Sequence, residues 1–172
     1  MPDRAQLRRD EILDAAERIF ATKGYHESGI ADIAAELGIG HGTFYRYFKN
    51  KHDIAVTILE RVIQRIAELG LSEDPNAAET LEEYRGQVER ILDKMLELAD
   101  SQPDVVRFFH QQSLQVDSDR LGAALDMHAK FTELFLINGV KKGFLRAELD
   151  IEATSQQLVA LIFDGMRRAV RM

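Results

Sequence analysis

Apolar residues recur along the chain at the three- and four-residue spacing of α-helices. The spacing is clearest near the start, where one helical face would carry a stripe made of Ile12, Ala15, Ala16, Ile19 and Phe20. No run bounded by turn residues alternates between apolar and polar side chains, which is the pattern of a half-buried strand. The chain is therefore predicted to be all-α.

Helix-ending residues divide this pattern into eight predicted helices, at about residues 6–23, 30–37, 41–48, 51–70, 77–100, 103–116, 119–142 and 151–171. Pro75 and its polar neighbours make residues 71–78 the best linker, because proline cannot continue a helix. We divide the chain into a head, residues 1–52, and a body, residues 53–172.

The second and third predicted helices are separated only by Gly38, Ile39 and Gly40. Two glycines in so short a link suit a sharp turn between crossed helices, because glycine adopts backbone angles that other residues avoid. The head is thus predicted to hold a helix-turn-helix, whose second helix can enter the major groove of DNA.

Composition narrows the class of protein. Hydrophobic residues make up 45% and charged residues 30% of the chain, which is enough for a folded core and argues against disorder. The absence of cysteine excludes a disulfide framework and a thiolate metal cluster, and it fits a reducing cytoplasm. The segment of residues 1–9 carries several charged side chains. No apolar stretch of the chain approaches the roughly 18 residues of a membrane span. We therefore expect a cytoplasmic protein with no membrane partner.

The net charge of −7 is unusual for a DNA-binding protein. The head contains eight basic and eight acidic residues, so its net charge is zero and the body carries the whole −7. A neutral head can bind phosphate if Arg46, Lys49 and Lys51 point to one side, whereas DNA would repel the acidic body. The charge distribution thus predicts which end of the molecule meets DNA.

The segment from residue 41 to residue 51 carries the residue types that a DNA-reading helix needs. Phe44 and Phe48 are four positions apart and would form its buried side. The other side would offer hydroxyls, cations and a glycine that permits close approach, and it consists of Gly42, Thr43, Tyr45, Arg46, Tyr47 and Lys51. A second basic cluster, Arg4, Arg8 and Arg9, would either reach the minor groove or form a solvated terminus.

Four segments resemble the DNA-binding domain of the TetR family of transcriptional regulators. They are Gly24-Tyr25, Ile30-Ala31-Asp32-Ile33-Ala34, Leu37-Gly38-Ile39 and Gly42-Thr43-Phe44-Tyr45-Arg46-Tyr47-Phe48-Lys49-Asn50-Lys51. The resemblance covers about residues 8–56, and beyond residue 70 it extends only to the layout of the helices.

The resemblance implies roles for individual side chains. Those that would face base edges are His41, Gly42 and Arg46. Thr43 and Tyr45 would contact phosphate or nearby bases. Tyr47 and Lys51 would contact phosphate. The chain departs from the family at Gly29 and Gly40, where hydroxyl residues commonly open two helices. Ser28 would supply a hydroxyl at the first of these sites, and backbone amides would meet phosphate at the second.

The body would provide pairing and sensing. Family members commonly pair their last two helices, so the resemblance implies a homodimer that presents two heads to a near-palindromic site. The candidate dimer residues are Phe131, Leu134, Phe135, Ile137, Leu158, Leu161, Ile162 and Met166. The candidate effector-binding residues are Met95, Phe108, Phe109, Gln112 and Phe131. Ordinary core packing is the alternative for every one of them.

The implied function is a ligand-responsive repressor, which a small-molecule effector of unknown identity releases from a palindromic operator in double-stranded DNA. The alternatives are an activator or corepressor-dependent regulator, and a helical interaction module that no longer binds DNA. The sequence shows neither a nucleophile with its base nor paired carboxylates, which are the groups that would indicate an enzyme. His110, His128 and Glu133 lack the spacing of a metal site. We expect neither catalysis nor a metal or cofactor.

Overall fold

The structure is a computed structural model that describes residues 3–170, and these residues form eight α-helices and no strand. The helices are α1 (Arg4–Lys23), α2 (Ile30–Leu37), α3 (His41–Phe44), α4 (Lys51–Gly70), α5 (Leu81–Ser101), α6 (Pro103–Val116), α7 (Ser118–Lys141) and α8 (Ile151–Ala169). The predicted all-α class is confirmed. The predicted bounds of α2, α4 and α6 are also confirmed, while the predicted end of the last helix at Arg171 lies outside the described residues.

The start of α5 lies later than apolar spacing alone predicts, because a capping box defines it. The Thr80 hydroxyl accepts a hydrogen bond from the backbone N–H of Glu83 at 3.2 Å. In return, the Glu83 carboxylate accepts one from the backbone N–H of Thr80 at 3.2 Å. These bonds satisfy N–H groups that have no partner within the helix, so the regular helix starts at Leu81.

The chain divides into two compact units by its internal contacts. The head unit runs to Val62 and takes in Asp104–Ser118, so it holds α1 to α3, the first part of α4 and nearly all of α6. The body unit consists of Ile63–Pro103 and residues 119–170. The sequence-based division assigned all of α6 to the body. A DNA-binding domain that ends at residue 52 stays a prediction.

Aromatic rings form the centre of the head unit. Phe20 is fully buried, and its ring centroid lies 5.6 Å from that of Tyr25 and 6.4 Å from that of Phe108. Phe44 and Phe48 are buried as well, with centroids 5.8 Å apart. The aromatic pairs add geometric preference to the apolar area they bury. Residues from α1, α6 and the turn before α2 therefore pack together, and the two phenylalanines after α2 form a second buried pair.

The turn of the helix-turn-helix depends on Gly38. Its φ of 62° and ψ of 32° are left-handed, which side chains other than glycine rarely adopt. The N–H of Gly38 and the N–H of Ile39 donate to the carbonyls of Ala35 and Ala34 at 3.2 and 2.9 Å, which closes the end of α2. The chain is thereby turned sharply before Gly40 and α3, as predicted.

The body unit has its own apolar core around Ala78, Tyr84 and Phe135. Gly139 of α7 permits a close approach there, since a Cβ at this position would lie only 2.7 Å from Cδ1 of Leu145. In the portion of the chain described, none of the helices combines the length and apolarity needed to cross a membrane.

Candidate nucleic-acid interface and ligand cavity

The predicted recognition helix has only one regular α-helical turn, His41–Phe44. After it the backbone tightens, because the N–H groups of Arg46 and Tyr47 donate to carbonyls three residues back, at 3.3 and 2.9 Å. Asn50 then caps α4, since its side-chain oxygen accepts a hydrogen bond from the N–H of Asp53 at 2.9 Å. The segment 41–48 is thus a short helix with a tightened second turn.

This segment has two distinct sides. Phe44 and Phe48 are buried, which confirms their predicted place in the core. On the outside, His41, Gly42 and Arg46 are exposed, and Tyr45 exposes 56% of its surface. The inner side of the segment therefore belongs to the core, and the outer side is accessible to solvent.

A polar cleft of about 500 Å³ brings the segment together with the start of α1. Thr43, Arg46 and Tyr47 line one wall of this cleft, and Arg4 and Arg8 contribute to the other. Glu11 also lines the cleft, where its carboxylate pairs with Arg8 at 2.6 Å, and both side chains are about half exposed. Three arginines and two hydroxyls thus converge on one surface of the head unit, which suits an extended anion such as a nucleic-acid backbone.

Lys51 is directed at the protein. Its Nζ donates to the carbonyls of Tyr25 and Ser28 at 2.7 and 2.9 Å and lies 4.5 Å from the centroid of the Tyr25 ring. The carbonyl of His26 lies 3.4 Å away. An ammonium group has three N–H donors, so these carbonyls occupy most of its capacity. The implied phosphate contact stays a prediction, and it would require Lys51 to share or leave these acceptors.

Ser28 is likewise turned inward. Its side chain is buried, and its hydroxyl donates to the carbonyl of Gly24 at 2.7 Å. Gly29 caps α2 in the predicted position, and its N–H donates to the Asp32 carboxylate at 2.7 Å. The pKa of Asp32 is lowered below its ordinary value, most by the hydrogen bond from Lys23 and next by the one from Gly29. The turn between α1 and α2 is therefore held by internal polar contacts.

Three of the candidate effector-binding residues lie in the head unit. Phe108 packs on Phe20, and Phe109 is buried on the same helix, α6. Gln112 is also buried, and its Oε1 accepts a hydrogen bond from the N–H of Tyr25 at 2.8 Å. These contacts pack α6 within the head unit, and effector binding by the three residues stays a prediction.

The other two candidates, Met95 and Phe131, line a cavity of about 230 Å³ in the body unit. Its walls come from α5, α7 and α8 and from Gly70 at the end of α4. Most of the lining is aliphatic, and four aromatic rings join it from Tyr84, Phe131, Phe135 and Phe163. Burial raises the pKa of the Tyr84 phenol, which keeps that hydroxyl neutral. The cavity is an apolar site of the kind that small molecules occupy.

The sequence analysis missed most of this lining, although a signal for it was present. Along α5 the lining residues recur at helical spacing, as Tyr84, Val88, Ile91, Leu92 and Met95. Leu158, Leu161 and Ile162 of α8, which were predicted for dimer contacts, also line the cavity. Apolar spacing marks these faces, but it does not distinguish a cavity wall from a filled core or an interface.

Comparison with known proteins agrees with the fold and with the helix-turn-helix. Residues 12–58 match the sequence profile of the family described as bacterial regulatory proteins, tetR family. The transcriptional regulator TtgR of Pseudomonas putida is 28% identical, over 96% of this chain and 81% of that protein.

Solved structures extend the match over nearly the whole chain. A TetR-like transcriptional regulator from Rhodococcus has a TM-score of 0.79 at 22% identity, over 99% of this chain and 86% of that one. FadR from Bacillus subtilis, solved in complex with stearoyl-CoA, has a TM-score of 0.73 at 25% identity, over 94% of this chain and 86% of that one.

Proposed function

We propose that this chain, a member of the TetR family of DNA-binding transcriptional regulators, represses transcription as a homodimer bound to a palindromic operator. An apolar effector would release the homodimer from that operator. The observation that carries the proposal is the surface shared by Thr43, Arg46 and Tyr47 with two arginines of α1. Hydroxyl and guanidinium groups hold phosphate, and a guanidinium can also read guanine in the major groove.

In this proposal the base edges meet the exposed residues His41, Gly42 and Arg46. The backbone phosphates meet Thr43, Tyr45 and Tyr47, with Arg4 and Arg8 beside them. Ser28 and Lys51 support this surface from behind by holding the α1–α2 turn.

A homodimer is supported by apolar side chains that the body unit leaves in solvent. Leu134 and Ile137 of α7 each expose 46% of their surface, and Leu161 of α8 exposes 67%. All three belong to the helices for which pairing was predicted. Since one head reads only a short site, a twofold pair of heads gives the specificity that a single copy lacks.

The effector would bind in the cavity of the body unit. The FadR complex holds stearoyl-CoA, whose long acyl chain supports an effector with an apolar part. Gly70, the last residue of α4, lines the cavity, whereas the start of α4 belongs to the head unit. A ligand that prefers one position of this helix end would shift the population of DNA-binding conformations. Typical coupling energies of about 1–3 kcal/mol change affinity by roughly 5- to 150-fold.

The test begins with selection of bound duplexes from a random pool, followed by titration of the selected site over a range of salt concentrations. We expect log affinity to fall steeply and linearly with log salt, and addition of an effector to lower affinity further. Absence of binding to any duplex would contradict the proposal. An effector that raises the affinity would instead identify a corepressor-dependent regulator.

A further inference from the structure

One ring nitrogen of His128 is buried in the apolar cavity. His128 lines the 230 Å³ cavity, and together with Gly70 and Phe131 it also lines an adjoining void of about 70 Å³. Its Nε2 is shielded from solvent and has no hydrogen-bonding partner among residues 3–170. The ring packs edge-on against Phe163, with centroids 5.7 Å apart. A buried polar atom of this kind costs stability unless something pairs with it.

The hydrogen bond at the other nitrogen defines what Nε2 can do. Nδ1 lies 2.7 Å from the carbonyl of Ala124, one turn earlier on α7. A carbonyl only accepts, so Nδ1 carries the proton in this bond. An imidazole that carries its one proton on Nδ1 has a bare acceptor at Nε2, which needs a partner that donates.

The surroundings favour a neutral partner. The lining residues found in the described part of the chain include no Asp, Glu, Lys or Arg, and their polar groups are those of Tyr84, His128 and Thr132. The Thr132 hydroxyl donates to the carbonyl of His128 at 2.9 Å, so its proton is already used. A charged ligand head would lie in this cavity without a counter-charge, which is costly. A water at Nε2 would find few of the two to four polar partners that buried waters need.

We propose that the effector is a compact neutral molecule with an aromatic or hydrocarbon body and one hydroxyl group, which donates a hydrogen bond to Nε2 of His128. This rests on the proposed function, in that the cavity is the effector site. Its volume of about 230 Å³ lies below the roughly 300–1,000 Å³ of typical ligand pockets, so the enclosed part of the ligand is small. The aliphatic side chains and four aromatic rings of the lining suit a flat or branched apolar body.

The test uses 4-propylphenol and 4-propylanisole, which share a skeleton but differ in whether the oxygen carries a proton. Both are titrated into the full-length protein by isothermal calorimetry. We expect the phenol to bind about tenfold more tightly than the ether, the value of one hydrogen bond to an otherwise unpaired buried acceptor. The preference should disappear in His128→Leu and persist in Thr132→Val, the matched change one turn further along the cavity wall.

A spectroscopic measurement on the unaltered protein makes the test independent of how the variants fold. In protein labelled with ¹⁵N-histidine, the phenol should move the Nε2 resonance of His128 upfield, as hydrogen bonding to an acceptor nitrogen does, and the ether should not. Equal affinity for both probes, or a preference lost in Thr132→Val but kept in His128→Leu, would overturn the inference while leaving the cavity as the effector site. Binding of neither probe would overturn the inference and the cavity's proposed role together.

Discussion

The backbone N–H of Tyr25 donates a hydrogen bond to the side-chain oxygen of Gln112 at 2.8 Å, although the two residues are 87 positions apart. Tyr25 lies in the turn before α2, and its carbonyl is also an acceptor for Lys51. A helix from the second half of the chain thus completes a turn that positions the helix-turn-helix.

Replacing Gln112 by leucine is expected to lower the free energy of unfolding by about 1 kcal/mol, because the partly buried N–H of Tyr25 loses its acceptor. Urea denaturation followed by circular dichroism measures the change. Gln115→Leu is the matched control, since Gln115 is an exposed glutamine on the same helix. Equal stability of the two variants would contradict this account of the turn.

Arg46→Ala is expected to weaken binding to the selected operator by about 1–3 kcal/mol and to relax the preference at one base pair. Competition titrations with single-base variants of the operator would measure both effects. Arg85→Ala removes the same charge from the body unit, where Arg85 pairs with Glu89 on the surface, and should leave DNA binding intact. If both variants lose affinity equally, overall charge is responsible and not a contact made by Arg46.

Lys51→Met is expected to cost about 1 kcal/mol of stability, because the carbonyls of Tyr25 and Ser28 lose a charged donor. Lys49→Met, at an exposed lysine of the same segment, provides the comparison. Thermal unfolding and the salt dependence of operator binding are measured for both. Unchanged stability of Lys51→Met with a shallower salt dependence would instead assign Lys51 to phosphate.

Acid should destabilise the head unit partly through Asp32. Its pKa is lowered from the ordinary 3.8, so the folded state binds its proton less readily than the unfolded chain does. The stabilisation is present above the unfolded pKa and is lost as the pH falls through the lower folded value. Asp32→Asn should therefore show a smaller loss of thermal stability than the unaltered protein between about pH 5 and pH 2. Asp93→Asn, a change at an exposed aspartate, should lose as much thermal stability over this pH range as the unaltered protein does.

Leu134→Glu is expected to shift the protein towards monomers, because pairing would bury a carboxylate without a partner. Analytical ultracentrifugation over a range of concentrations measures the equilibrium, and we expect at least about a tenfold weaker dimer. Leu114→Glu is the control, since Leu114 on α6 is 68% exposed but lies outside the proposed interface. A dimer that survives Leu134→Glu would place the interface on another face.

Local signals in the sequence were sufficient for much of the head. Gly38 marks the turn, and the i, i+4 spacing of Phe44 and Phe48 marks the buried side of the recognition segment, because both depend only on near neighbours. The shortened α3 was not predictable from apolar spacing, since the tightening after Phe44 is a matter of backbone hydrogen bonds.

Contacts between distant segments were beyond the same reasoning. Periodicity indicates that Phe108 and Gln112 face a core, but it does not identify the core. Met95 and Phe131, which look equivalent in sequence, line a cavity in the other unit. His128 could be recognised as an unpaired acceptor only once Ala124 and Phe163 were seen around it.

The inclusion of α6 in the head unit limits how this protein can be recombined. A fragment cut after Val62 would bare the face of Phe20 that Phe108 covers and leave the N–H of Tyr25 without Gln112, so we expect it to aggregate. A chimera that transplants DNA specificity from a relative should therefore carry that relative's α6 along with its first helices, or replace only the outward side chains between His41 and Tyr47.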